Sequence, residues 1–193
     1  MKKSIFLDKD GTLIPNIAYY SDPSKISLVD GATEVLKSLS RLGFIFIVVT
    51  NQQGIARGII SEHQIKEVEK RLVELFKEAG VILSGFYYCP HDTDGIIASY
   101  SITCNCRKPL PGMLYSAAEE HNIDLKNSWM IGDILDDIEA GNRAGCKTIL
   151  IGIGNETEWV RGNYRTPDFT VNNFSEISEI ITANSLIERY IDI

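Results

Sequence analysis

The chain has 193 residues, of which 44% are hydrophobic and 23% charged, and its formal net charge is −7 at pH 7. This length suits a single domain, residues 1–193, and the composition is typical of a globular protein rather than a disordered or fibrous one. The acidic charge argues against broad binding to nucleic acid or to an anionic membrane surface. No stretch approaches the roughly 20 apolar residues of a membrane-spanning helix, and the first residues lack the apolar span of a signal peptide. We therefore expect a cytoplasmic protein with no membrane partner.

Short apolar runs alternate along the chain with longer segments of helical period. This alternation predicts repeated βαβ units, and so an α/β fold: a Rossmann-like three-layer sandwich with a mostly parallel central sheet. Ser61 and Gln64 have the spacing of a capping box at the start of a helix. Strands are predicted at 4–8, 44–50, 85–89, 128–133, 147–153 and 168–171, and helices at 31–43, 61–80, 111–123, 135–145 and 174–191.

The first predicted strand ends in two acids one residue apart. Asp8 and Asp10 are followed by Gly11 and Thr12, and this D-x-D-G-T segment taken alone also fits a simple turn. Strand alternation predicts that Lys9, between the two acids, points away from them.

Two later strands also end in polar groups. Thr50 and Asn51 end the second strand, and Asp133 ends the fourth, in "GDILDD". Singly, these fit a strand-to-loop transition and an acidic helix start stabilised by the helix dipole. Ligands of parallel sheets gather beyond the carboxyl ends of the strands, however, so we expect these groups to meet Asp8 and Asp10. Carboxylates brought together would repel one another unless a divalent cation such as Mg²⁺ lay among them.

A long irregular segment, the zinc loop (residues 89–108), follows the third strand. Its three thiols and one imidazole form a complete tetrahedral ligand set, which indicates a structural Zn²⁺ site; chance clustering of buried cysteines is the alternative. Cys146, far along the chain, fits a small core residue. The predicted ligands are Cys89, His91, Cys104 and Cys106.

Two cations follow the last predicted zinc ligand directly. Arg107 and Lys108 stand before Pro109, so a zinc ion would fix the loop that directs both cations into the site. A solvated basic pair is the alternative.

Together, "DKDGT", the strand-end "TN", the lysine of "RKP" and "GDILDD" resemble the four motifs of the haloacid dehalogenase-like (HAD-like) superfamily of phosphohydrolases, over residues 5–145. The resemblance implies a Mg²⁺-dependent phosphomonoesterase that acts through an aspartyl-phosphate. It assigns Asp8 as the nucleophile and Asp10 as the acid/base, with Thr50 and Lys108 as phosphoryl-binding groups. The Mg²⁺ ligands that it implies are Asp8, Asp133 and the backbone carbonyl of Asp10, and Asp137 supports them.

The cysteine–histidine pairs before "RKP", with "TNQQGIARG", resemble a narrower group, the heptose bisphosphate phosphatases and histidinol-phosphate phosphatases. This implies a small sugar phosphate as substrate and no large cap domain. The heptose substrate is favoured, with histidinol phosphate as the alternative, although Ile134 stands where the group usually has a basic residue. The substrate contacts implied are Asn16, Tyr19, Asn51, Gln52, Gln53 and Arg107.

Two other kinds of function stay open on the sequence alone. One is a zinc-stabilised binding module that has kept the fold but lost catalysis, although every residue of the four motifs is present. The other is transfer of the phosphoryl group to an acceptor other than water. The small size of the chain makes a monomer the simplest expectation.

Overall fold

A computed structural model describes residues 1–16, 23–157 and 159–191. A six-stranded sheet forms its centre, and every pairing between the described strands is parallel. Their spatial order is β3-β2-β1-β4-β5-β6. The strands are β1 (Lys3–Leu7), β2 (Phe44–Asn51), β3 (Leu83–Cys89), β4 (Trp129–Gly132), β5 (Lys147–Ile151) and β6 (Phe169–Val171).

Five α-helices accompany the strands in the described part of the chain, and their positions confirm the predicted alternation. The capping box is present: Ser61 Oγ accepts a hydrogen bond from the Gln64 N–H, and Gln64 Oε1 accepts one from the Ser61 N–H. Short 3₁₀ turns lie at Pro23–Lys25 and Leu125–Asn127. The helices are α1 (Ala32–Arg41), α2 (Glu62–Glu78), α3 (Gly112–His121), α4 (Leu135–Ala144) and α5 (Glu176–Ile191).

The helices cover both faces of the sheet. Residues of α1, α2 and α5 pack in one hydrophobic cluster with Ile5 and Leu7, whereas residues of α3 and α4 pack in a second cluster with Phe6. Successive residues of β1 thus face opposite layers, which explains why Ile5, Phe6 and Leu7 are all apolar. The expected three-layer α/β sandwich is confirmed.

The strand order places β1 in the middle of the sheet. The chain moves outward from β1 to β2 and β3, then returns to the other side of β1 as β4. In sheets of this kind, ligands bind beyond the carboxyl ends of the strands where the order reverses. The ends of β1, β2 and β4 therefore mark the position of the site. Among the described residues, no helix is long and apolar enough to cross a membrane.

Candidate active site

The loop after β1 lies directly against the end of β4. Asp8 immediately follows the strand, and its N–H donates to the carbonyl oxygen of Ile131 at 2.9 Å. Gly11 has a φ of +86°, and a Cβ at this position would collide with the carboxylate of Asp133. The glycine is therefore required both for the turn and for the close approach. Beside it, Thr12 Oγ1 donates to Asp133 Oδ1 at 3.2 Å.

Three buried aspartates and one lysine meet at this edge of the sheet. Oxygens of Asp8, Asp133 and Asp137, here called the carboxylate cluster, all lie within 4.8 Å of one another. Lys108 Nζ lies 2.5 Å from Asp8 Oδ1 and 2.7 Å from Asp137 Oδ1, and it donates to the carbonyl oxygen of Val49 at 2.9 Å. A single ammonium among three carboxylates leaves two negative charges uncompensated when all of them are ionised.

Burial and neighbouring charges both shift the pKa values of these groups. Burial raises the pKa of Asp8 to about 7, and nearby Asp137 and Asp10 add to the shift against the opposing effect of Lys108. Burial, and then the charge of Asp8, raises the pKa of Asp133 to about 6, and burial also raises that of Asp137. Burial would lower the pKa of Lys108, but the neighbouring carboxylates outweigh it and raise the pKa. A buried, oxygen-rich site with this charge fits a hard divalent cation.

Asp10 lies beside the carboxylate cluster and more open to solvent, with 29% of its side chain exposed. Gln52 Nε2 donates to Asp10 Oδ2 at 3.1 Å and to Thr50 Oγ1 at 2.9 Å. The end of β2 and the loop after β1 are therefore joined through one side-chain amide.

The prediction for Lys9 is wrong. Its side chain is almost completely buried, and Nζ lies 2.5 Å from Asp10 Oδ1. Strand alternation no longer applies because β1 ends at Leu7 and the chain then turns. The carbonyl oxygen of Lys9 accepts backbone hydrogen bonds from Leu13 and Ile14, so the lysine belongs to that turn.

Asn51 positions the backbone that carries Lys108. Asn51 Oδ1 accepts from the Lys108 N–H, and Asn51 Nδ2 donates to the Lys108 carbonyl oxygen, both at 3.0 Å. This pairing holds a loop residue as a neighbouring strand would. These two hydrogen bonds could not be predicted, because nothing in the local sequence pairs two residues 57 positions apart.

The four residues predicted to bind zinc lie together in the zinc loop. Their ligand atoms are within 4.8 Å of one another, and none of the cysteines forms a disulfide. Cys104 Sγ lies 3.5 Å from Cys89 Sγ and 3.4 Å from Cys106 Sγ, close to the ~3.8 Å between thiolates in a tetrahedral zinc site, whereas Cys89 Sγ and Cys106 Sγ lie closer together, at 2.6 Å. His91 Nδ1 lies 3.2 Å from Cys106 Sγ. This Cys/His cluster fits a four-coordinate metal ion.

Two arginines, Arg107 and Arg57, connect the zinc loop to the loop after β2 through polar contacts. Arg107 donates to Gln53 Oε1, and also to the carbonyl oxygen of His91 at 3.2 Å. Arg57 and Asp92 form an ion pair with a nitrogen–oxygen distance of 2.7 Å. Both predicted substrate contacts here, Gln53 and Arg107, thus lie at the boundary between the two loops.

Two further residues support the site from the loop after β5. Asn155 Nδ2 donates to Asp133 Oδ2 at 2.7 Å, and Glu156 accepts from the Leu135 N–H at 2.6 Å, at the first turn of α4. Neither role could be predicted from the sequence, because this segment has no periodic pattern. The asparagine 22 positions beyond Asp133 carried no recognisable signal.

The remaining predicted positions lie at the edge of the site. Asn16 is exposed at the end of the first described stretch, and Tyr19 lies outside the described residues. Ile134, where a basic residue was expected, donates its N–H to Asp137 Oδ2 at 3.3 Å. The substrate roles of all the predicted contacts stay predictions.

Comparison with known proteins finds phosphatases among the relatives of this chain. The HAD-hydrolase-like family matches residues 105–177. D-glycero-β-D-manno-heptose-1,7-bisphosphate 7-phosphatase of Pasteurella multocida is 44% identical over 155 residues, which cover 80% of this chain and 84% of that protein. The protein of the same name from Yersinia pestis is 36% identical over 180 residues, 93% of this chain and 95% of that one.

A solved structure gives the same result. The D,D-heptose 1,7-bisphosphate phosphatase of B. bronchiseptica, in complex with magnesium and phosphate, superimposes with a TM-score of 0.80 at 25% identity. The alignment covers 94% of this chain and 99% of that one. Fold, site and relatives together define a phosphoric monoester hydrolase. The chain belongs to the HAD-like phosphatases, with the heptose bisphosphate phosphatases among its relatives.

Proposed function

We propose that the protein removes a phosphate group from a small sugar phosphate through an aspartyl-phosphate formed on Asp8. The observation that carries this proposal is the contact between Asp8 Oδ1 and the buried ammonium of Lys108 at 2.5 Å. A phosphate monoester is an anion that repels a carboxylate nucleophile, so catalysis needs fixed positive charge where the phosphoryl group binds. Lys108 supplies such a charge beside the nucleophile.

Each residue type has a place in the reaction. Asp8 attacks phosphorus while the bond to the sugar oxygen breaks, and water later cleaves the aspartyl-phosphate. Asp10 gives a proton to the departing oxygen and then takes one from the attacking water. Thr50 and Lys108 bind the phosphoryl oxygens, and Asp137 holds Lys108 in place through their ion pair.

A Mg²⁺ ion fits the carboxylate cluster. We propose the side chains of Asp8 and Asp133 as ligands with the backbone carbonyl of Asp10, and Asp137 as a supporting carboxylate. When bound, the ion neutralises charge on the phosphoryl group and helps to align it with the nucleophile. The pKa values of Asp8 and Asp133, raised without a cation, support a divalent ion at this position.

The Cys/His cluster is proposed to bind a structural Zn²⁺ ion. Its four protein ligands leave no coordination position for substrate or water. The ion would close the loop immediately before Arg107 and Lys108, and thereby fix their backbone. Reduced thiols of this kind are stable in the cytoplasm, where we propose that the protein acts as a single-domain monomer.

For the substrate we propose D-glycero-D-manno-heptose 1,7-bisphosphate, from which the 7-phosphate is removed during synthesis of nucleotide-activated heptose for lipopolysaccharide or capsule. The relatives from P. multocida and Y. pestis carry this activity in their names. Asn16, Tyr19, Asn51, Gln52, Gln53 and Arg107 are the proposed substrate contacts.

The test is phosphate release at millimolar Mg²⁺ from both anomers of the heptose bisphosphate, from histidinol phosphate and from other sugar phosphates. We expect the highest kcat/KM on the heptose bisphosphate, and no turnover by Asp8→Asn. A higher kcat/KM on histidinol phosphate would replace the heptose bisphosphate as the proposed substrate. Release from none of these compounds would favour the binding module, and an alcohol acceptor that outcompetes water would indicate a phosphotransferase.

A further inference from the structure

Lys9 is a buried cation next to the residue proposed as acid/base. Only 3% of its side chain is exposed, and its ammonium is paired with Asp10 Oδ1 at 2.5 Å. Removing an ammonium from water is costly unless a partner compensates it, and the Asp10 carboxylate supplies that compensation here. The reaction as described above gives Lys9 no role.

The two oxygens of Asp10 have different surroundings. Oδ1 is held by Lys9, whereas Oδ2 accepts from Gln52 Nε2, which also donates to Thr50 Oγ1. Because Thr50 is proposed to bind the phosphoryl group, Oδ2 is the oxygen on the substrate side. The carboxylate is thus held from both sides in one orientation.

We propose that Lys9 is a positioning residue for Asp10: it holds Oδ1 so that Oδ2 alone exchanges protons with substrate and water. This inference rests on the proposed function. As the Asp8–phosphorus bond forms, the bond from phosphorus to the sugar oxygen breaks, and that oxygen takes the proton from Asp10 Oδ2. The ammonium of Lys9 compensates the carboxylate that remains. In the second half, Oδ2 takes a proton from water as the water oxygen attacks phosphorus and releases Asp8.

The dependence of kcat/KM on the leaving group distinguishes this role from a merely structural one. A sugar alkoxide needs the proton from Asp10 in order to leave, whereas p-nitrophenolate leaves well without it. The value of kcat/KM reports the steps up to the loss of the leaving group. We therefore compare kcat/KM for heptose 1,7-bisphosphate with that for p-nitrophenyl phosphate, in wild type, Lys9→Met and Lys9→Arg. Lys37→Met, an exposed lysine on α1, is the matched control.

The expected result is a fall of about tenfold in the ratio of sugar to aryl kcat/KM in Lys9→Met, a part of the 10²–10⁴-fold effect of acid–base catalysis. Lys9→Arg should recover most of the ratio, and Lys37→Met should match the wild type. An equal fall on both substrates, or no fall, would overturn the inference. If Lys9→Met does not fold, Lys9→Gln replaces it under the same criteria.

A double-mutant cycle tests whether Lys9 acts through Asp10. In an Asp10→Asn background, Lys9→Met should cause no further loss on the sugar phosphate, because the group that it positions is gone. Additive losses would show a separate role and overturn the inference. A wild type that hydrolyses neither substrate would overturn the proposed function as well, whereas an active wild type with an unchanged ratio in Lys9→Met would overturn only this inference.

Discussion

Two clusters of metal-binding side chains lie in this molecule, and the fold holds them in different ways. All three members of the carboxylate cluster are buried, at the ends of central strands and the start of α4, whereas three of the four members of the Cys/His cluster are partly exposed in an irregular loop. Hydrogen bonds of the sheet hold much of the first cluster, whereas the second lies in a loop that the proposed zinc ion would cross-link. In the proposed function, the catalytic carboxylates thus lie at the ends of strands, and part of the substrate site lies in that loop.

The largest expected effect comes from the carboxylate cluster. Asp8→Asn removes the nucleophile but keeps its size, so kcat should fall by at least about 10⁴-fold while the fold is retained. Steady-state phosphate release and circular dichroism test both halves of this prediction. Retention of more than a tenth of the wild-type kcat would show that Asp8 does not bond to phosphorus.

Removal of the buried cation should be nearly as severe. Lys108→Met should lower kcat/KM by about 10³-fold and destabilise the metal-free protein by about 3–5 kcal/mol, because Asp8 and Asp137 lose their partner. Denaturant unfolding in the absence and presence of Mg²⁺ measures the second effect. Since a divalent cation would compensate the same carboxylates, the loss of stability should shrink with Mg²⁺; a loss independent of Mg²⁺ would place the cation elsewhere.

The Cys/His cluster should affect binding and stability more than chemistry. Cys104→Ser should lower the melting temperature by about 6–10 °C and raise KM about tenfold, with a smaller change in kcat, because the loop that carries Arg107 loosens. Metal analysis should find one zinc per chain in the wild type and less in the variant. Cys146→Ala, a buried cysteine outside the loop, is the control and should keep its zinc. A fall in kcat as large as the one that Lys108→Met causes would show that the Cys/His cluster affects the chemical step and not mainly substrate binding.

The smallest expected effect lies at the support of Asp133. Asn155→Ala removes the donor to Asp133 Oδ2, so the apparent affinity for Mg²⁺ should fall about tenfold, while kcat at saturating Mg²⁺ changes little. Activity titrated against Mg²⁺ gives both values. An unchanged titration would show that Thr12 alone is sufficient to orient Asp133.

The difference between the clusters also explains what the sequence could reveal. Asp8 and Asp133 of the carboxylate cluster are predictable because each comes directly after a buried strand with a strong local pattern, whereas Asp137 lies in the first turn of α4. The Cys/His cluster is predictable for another reason: thiols and imidazole at close spacing have few other uses. Both predictions depend on residue type and short-range spacing, and the structure brings together every residue that they named.

The supporting contacts could not be predicted in this way. The bonds from Asn51 to the Lys108 backbone and from Asn155 to Asp133 join distant segments, and their existence depends on the path of two irregular loops. The prediction for Lys9 was wrong for a related reason, because β1 ends at Leu7, one residue before the motif begins, and strand alternation does not extend into the motif. Polar side chains with several possible partners carry little information until the loops around them are placed.

The central position of β1 has a further consequence for the order in which the molecule loses its structure. The amide of Asp8 is bonded to β4, in the innermost part of the sheet, so it should exchange its hydrogen only when the whole domain unfolds. Most amides of the zinc loop lie outside the strands, so we expect them to exchange before the amide of Asp8 does. Under mild denaturation we therefore expect substrate binding to be lost while Asp8 keeps its position in the sheet.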